Sequence, residues 1–311
     1  MARWYLKAAL QGVLSHVPGG RRGNEFLQAH VTRSLGFSDS FFRRKAGQAA
    51  RHAAASRELA RVPRDDFTAL ELGTGWYPVV PVGLFLCGAG RVYTVDVRSG
   101  LTLERVRRVL TAYAAGAAQG TLGELLPGHD ATRVETLRAA LAGPTATAEG
   151  LLSRVGVQVV VGDVLRVGFE PGSIDLIVSN NTLEHVPAGV LEAMFGEFHR
   201  LLAADGLMSH SIDLSDHYSH FDHGISPYNF LRYSDRRWRW FNGDLGYQNR
   251  WRVSDYRDLH ARIGFEIAEE TSSAGRPQLI DTVPLAGRFR GYARDDLVPT
   301  SAWFAARPVA D

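Results

Sequence analysis

The sequence is short of several things. It has one cysteine in 311 residues, and Lys7 and Lys45 are its only lysines. A single thiol excludes an internal disulfide and a cysteine-based zinc knuckle. Cys87 falls in the apolar stretch Val82-Gly83-Leu84-Phe85-Leu86-Cys87, where a buried and inert thiol is expected. No run approaches the ~18 apolar residues that a membrane span needs. The formal net charge is +2, too close to balance to argue for nucleic acid. The N-terminal apolar patch is broken by Gln11, Gly12 and His16 and ends at Pro18-Gly19-Gly20. No small-residue cleavage site follows it, so it reads as a helix rather than a signal peptide, and a cytoplasmic location is the expectation. No internal repeat or low-complexity linker is visible.

What is present is the composition of a folded protein. Apolar residues make up 45% and charged residues 22%, enough for one large core with an elaborated cap or for two modest domains. Residues 1–66 carry helical patterns and no convincing strand, which predicts an N-terminal helical cap. Its best segment runs from Ser38 to Val62, with Ser38 or Ser40 as N-cap and Pro63 as the stop. From residue 67 the texture alternates. Apolar, β-branched runs over 67–72, 91–97, 157–163, 174–181, 206–214, 265–271 and 301–309 predict seven strands, with helices between them opening near Pro78, over 188–204 and over 254–263. Strand–helix alternation with nearly continuous Val, Ile and Leu in the strands predicts an α/β fold, with a mostly parallel sheet and helices on both faces. The 101–156 connection is far longer than one crossover helix requires and must carry helices of its own.

The strongest local signal is Glu71-Leu72-Gly73-Thr74-Gly75, at the end of the first predicted strand. Glycines there allow a tight turn and let a ligand lie against the backbone, although a plain strand-to-helix turn has the same look. The next residues, Trp76, Tyr77 and Pro78, are bulky where a dinucleotide site needs a third glycine and room for pyrophosphate. A ligand without phosphates is favoured. Asp96 closes the second strand, where an acid can accept ribose hydroxyls.

With these residues the chain resembles the class I S-adenosylmethionine-dependent methyltransferases. Glu71, Gly73 and Gly75 match their acid-x-Gly-x-Gly element, with Tyr77 where many members have a third glycine. Asp96 matches the ribose-binding acid, and Gly162-Asp163-Val164 matches the element after the third strand. The stretch from Ile174 to Val186, with its Leu183-Glu184-His185-Val186, is similar to the fourth-strand motif. The resemblance covers roughly residues 67–214. It implies a Rossmann-like domain over 67–311 and S-adenosylmethionine as cofactor. The glycine turn would contribute Glu71, Gly73, Thr74 and Gly75 to the cofactor site. Asp96 would meet the ribose and Asp163 the adenine, and Val97, Val164, Asn180 and His185 would complete the site.

Beyond the fifth strand, Ser209 to His223 crowds four histidines among acids. Ordinary polar loop packing, an acceptor-binding or general-base cluster, and a metal site are the three readings. No spacing matches a metal-site signature, so no metal ligands are expected. A histidine beside an aspartate suits general-base work, and His217 or His220, oriented by Asp213 or Asp216, are the candidates. Residues 227–256 are dense in aromatics and Arg. They predict a substrate cover over 215–256 with an aromatic-lined acceptor pocket; base stacking on RNA and simple packing are the other readings. Ser226 to Leu231 and Tyr247 to Arg250 also resemble bacterial methyltransferases of natural-product and surface-polysaccharide gene sets. The expected function is methyl transfer to O, N or an electron-rich C of a small-molecule acceptor, in natural-product or other secondary metabolism, with no nucleic-acid partner. A homodimer is compatible with it. An RNA methyltransferase, a nicotinamide oxidoreductase and a non-catalytic cofactor-binding protein are the alternatives.

Overall fold

The structure, a computed structural model, describes Trp4 and residues 36–243 and 246–310. The helix expected before Pro18 lies outside the described residues.

Helix α1 (Asp39–Leu59) starts where the Ser38 side chain accepts a hydrogen bond from Phe41 N at 3.1 Å, the N-cap arrangement its sequence predicted. Its buried face is mostly alanine, at Ala46, Ala49, Ala53 and Ala55, so the helix can lie close to α2 (Val79–Leu86). A Cβ at Gly83 of α2 would come within 2.6 Å of Ala49 Cβ. The bare glycine sets that spacing.

Seven strands form one sheet: β1 (Thr68–Leu72), β2 (Arg91–Asp96), β3 (Val157–Val161), β4 (Ile174–Asn180), β5 (Leu202–Asp213), β6 (Phe265–Ser272) and β7 (Ser301–Pro308). Their order across the sheet is β3-β2-β1-β4-β5-β7-β6. The first five are parallel, and β7 runs antiparallel to both β5 and β6. The direction of winding reverses between β1 and β4, which opens a crevice beyond their carboxyl ends. Between β2 and β3 the chain forms α3 (Leu103–Ala118), a short helical turn at Leu122–Leu125, α4 (Ala131–Ala142) and α5 (Ala148–Ser153). Helices α6 (Ala188–Leu201) and α7 (Val253–Ile263) cover the other face. Each face has its own apolar core, one under α1 to α5 and one under α6 and α7. The sequence extended α6 to Ala204. Instead Leu202 turns extended and pairs with Ile174, adding a turn's length to the start of β5.

The aromatic segment behaves differently from its expectation. Tyr228, Phe230 and Trp238 point inward and form a third apolar cluster with Trp4, Tyr218 and Phe289. Burial of ring area is the dominant use of these residues, and the predicted aromatic-lined acceptor pocket is corrected on that ground. Among the described residues, no helix is long and apolar enough to cross a membrane.

Candidate functional site

The crevice at the switch point holds a cavity of about 540 Å³, within the ~300–1,000 Å³ of small-molecule sites. The glycine turn makes its base. Gly73 and Gly75 have φ of +85° and +64°, in the left-handed region that favours glycine. A Cβ on Gly73 would also fall 2.4 Å from Thr182 Oγ1. Phe41, Trp76 and Tyr77 form an apolar wall, and Asp96, Asn180 and His185 supply polar edges.

Behind the turn, Glu71 is 3% exposed. Its Oε2 accepts from Thr94 Oγ1 at 2.8 Å, and Thr94 in turn is hydrogen-bonded to Thr74 Oγ1. Burial pushes the Glu71 carboxyl up to about 7, against the Thr94 hydrogen bond and the charge of Lys45. Lys45 of α1 lines the cavity, and burial holds its ammonium below the usual lysine range. Sequence reasoning missed Lys45. Its only signal was being one of two lysines in an arginine-rich chain.

Asp96 Oδ2 accepts from Gly75 N and Oδ1 from Arg98 N, both at 3.2 Å. The carboxylate thus fixes the turn and faces the cavity. Val97 follows it and is exposed. Asn180 Oδ1 is bonded to His52 Nε2 of α1 at 3.2 Å, but its buried Nδ2 has no partner. The structure does not bring Asp163 and Val164 to this cavity. Asp163 caps the next helical turn by accepting from Leu165 N, and Val164 is packed in the core.

A second cavity of about 460 Å³ lies beyond β5 and shares Asn181 with the first. Its lining is polar or charged at Asp213, Ser219, His220, His223 and Arg276. Three histidines run between the two cavities. The His185 and His217 rings are 4.9 Å apart, and His217 stacks on His220 at 5.3 Å. Asp213 Oδ2 lies 3.3 Å from His217 Nε2 and 3.7 Å from His220 Nε2. Burial works against the His217 imidazolium, but the contact with Asp213 and the charges of Asp213, Glu184 and Asp216 outweigh it and raise the ring above its usual range. Asp216 does not orient a ring. Its two oxygens accept from Tyr218 N and Asn229 Nδ2, inside the loop.

Residues 114–209 match the family described as a methyltransferase domain. The matched stretch is under a third of the chain and is similar to that methyltransferase-domain family. The match begins within α3 and ends in β5, so the glycine turn and Asp96 lie outside it. Curated proteins give no match. Solved structures similar to this chain include the magnesium protoporphyrin IX methyltransferase of Synechocystis, with 15% identity over 86% of this chain and 82% of that one at a TM-score of 0.44. The geranyl diphosphate C-methyltransferase of Streptomyces coelicolor has 12% identity over 85% and 79%, with a TM-score of 0.44. A TehB-like methyltransferase of Corynebacterium glutamicum has 14% identity over 94% and 100%, with a TM-score of 0.43.

The sequence resemblance implies S-adenosylmethionine as cofactor, and the first cavity fits such a ligand. The unpartnered Asn180 Nδ2 is a buried donor waiting for an acceptor. Lys45 lines the cavity and the Glu71 carboxyl lies buried behind its glycine turn, a basic and an acidic group that suit the zwitterionic methionine portion of such a ligand.

Proposed function

We propose that the protein methylates a hydroxyl of a small polar acceptor, in natural-product or other secondary metabolism. The observation that supports this most is the shared wall: the two cavities meet at Asn181, so donor and acceptor would be held side by side. S-adenosylmethionine supplies a methyl group already activated by its sulfonium, and the protein's main tasks are alignment and exclusion of water. Lys45 and Glu71 would hold the methionine carboxylate and ammonium. Gly73, Thr74 and Gly75 leave room for the ligand against the turn, Asp96 accepts the ribose hydroxyls, and Asn180 donates through Nδ2. His185 borders the same ligand, whereas Val97 is exposed and is not among the residues that line the cavity.

On the acceptor side, polar lining and the Arg276 guanidinium favour a hydroxylated or acid-bearing molecule. His220 is the base. Ser215 Oγ donates to Asp213 Oδ1 at 2.6 Å, so His220 Nε2, 3.1 Å from Ser215 Oγ, donates to that hydroxyl. A proton taken up by His220 would then be stabilised by the Asp213 carboxylate. His217 lines neither cavity and supports the pair from behind.

The test is single-turnover methylation of a panel of hydroxylated metabolites with labelled cofactor. His220→Ala should slow methyl transfer ~10²–10⁴-fold, while calorimetry shows cofactor affinity unchanged. Wild-type rates in that variant would place the base elsewhere, and no cofactor binding at millimolar concentration would overturn the reading as a whole.

A further inference from the structure

Glu184 is the anomaly of the site. It is 3% exposed, and neither carboxylate oxygen has a hydrogen-bond partner. A buried carboxylate is strongly disfavoured unless a donor or a cation satisfies it. Nearby, His185 and His217 each offer a ring nitrogen, and one ligand atom from each of the three residues lies within 4.8 Å of the others.

The surroundings are those of ligands rather than of a hydrogen-bond network. His185 Nδ1 faces Tyr247 O at 2.7 Å. A carbonyl only accepts, so Nδ1 carries the proton and Nε2 keeps its lone pair, the orientation that metal-binding histidines receive from such partners. His217 Nε2 is buried and has no aligned hydrogen bond, although Asp213 Oδ2 is 3.3 Å away. Two ligands ~2.1 Å from one tetrahedral ion stand ~3.4 Å apart, so that contact has the spacing of two donors to a common centre.

We propose that Glu184, His185 and His217 bind a divalent first-row transition-metal ion, with Asp213 in reach as a fourth donor. Two imidazoles and a carboxylate suit zinc, iron or manganese better than magnesium or calcium. The ion would stand between the two cavities, where a Lewis acid can hold and acidify an acceptor hydroxyl. No motif spacing discloses this set, because Glu184 and His185 follow β4 while His217 follows β5, and only the pairing of those strands joins them.

Metal uptake by the full chain, stripped with a chelator and studied without cofactor or acceptor, tests this independently of the methyl-transfer reading. Titration with zinc should show one site, and cobalt(II) should give the visible bands of a four- or five-coordinate ion. Glu184→Gln and His185→Ala should each weaken zinc binding at least ~100-fold, more than the ~10–100-fold typical of losing an outer-shell partner. His199→Ala, on the exposed side of α6, should bind zinc as wild type does. Melting curves would confirm that the variants fold. If the wild-type chain takes up neither ion, or if Glu184→Gln and His185→Ala bind zinc as tightly as wild type, the site is not a metal site and Glu184 is a neutral buried acid.

Discussion

The two sides of the site are built in different ways. The donor side is built at the ends of paired strands: a glycine turn and an acid one strand away, with Gly73 N donating to Val95 O and Gly75 N to Asp96 across the neighbouring β1 and β2. The acceptor side depends on distant partners. Its loop is held by Arg252, which is fully buried and donates to Leu214 O at 2.7 Å and Leu297 O at 2.9 Å as well as to Pro299 O. It is also held by Trp4, whose N–H donates to Asp222 Oδ2 at 3.1 Å. A parallel sheet fixes the ends of its strands cheaply, whereas a long loop keeps a shape only where main-chain carbonyls and rings find partners elsewhere in the chain. In such a design the donor cavity can stay constant while the acceptor cavity changes.

The sharpest way to break the comparison is Arg252→Met. Four carbonyls, those of Leu214, Asp296, Leu297 and Pro299, would lose their donor, and stability should fall by about 3–5 kcal/mol, read as a lower urea midpoint. At low temperature the remaining folded protein should still bind cofactor. A loss below ~1 kcal/mol, on the scale of one ordinary hydrogen bond, would show that the loop is held by its aromatic cluster instead.

Asp96→Ala addresses the donor side. The carboxylate is expected to accept ribose hydroxyls while it holds Gly75 N, so cofactor binding should weaken by roughly 1.5–3 kcal/mol, the scale of charge-assisted hydrogen bonds. Calorimetric titration reads this directly. Unchanged affinity would mean that another group holds the ribose.

The same contrast explains what could be read in the sequence. All seven strands were legible because their apolar, β-branched runs are local signals, and so was the Ser38 cap. Glu71, Gly73 and Asp96 were legible because strand ends in a parallel sheet are predictable places. Lys45 was not, since it reaches the cavity from a helix outside the motifs. The inward turn of Tyr228, Phe230 and Trp238 was hidden because an aromatic run looks the same whether it lines a pocket or fills a core. Only their contacts with Trp4 and Phe289, from the two ends of the chain, decide between the two.

The smallest effect concerns the joint between α1 and the sheet. His52 is fully buried, with Nδ1 2.9 Å from Ser209 Oγ and Nε2 bonded to Asn180. Burial first, then the charges of Lys45 and Arg51, hold its ring down to about 3 despite the Asn180 hydrogen bond. A histidine whose folded value is depressed stabilises the fold above its unfolded value near 6.5, and that stability drains away as pH falls toward 3. From pH 7 to 5 the loss is about 2 kcal/mol at ~1.4 kcal/mol per pH unit. Glu71 and Asp216, raised to about 7 and about 6, act in the opposite sense, since the folded state then binds protons before the unfolded chain does. The wild-type curve is therefore flattened by opposing groups, and only a difference exposes His52. His52→Gln keeps a side chain able to donate and accept, and should cost about 1 kcal/mol at pH 7 for imperfect hydrogen bonds. That deficit should shrink, and then reverse, by pH 5. Urea unfolding of both proteins at pH 7, 6 and 5 checks this; a deficit independent of pH would mean that the fold does not perturb the His52 ring, and a deficit that grows as pH falls would mean that the fold favours its protonated form.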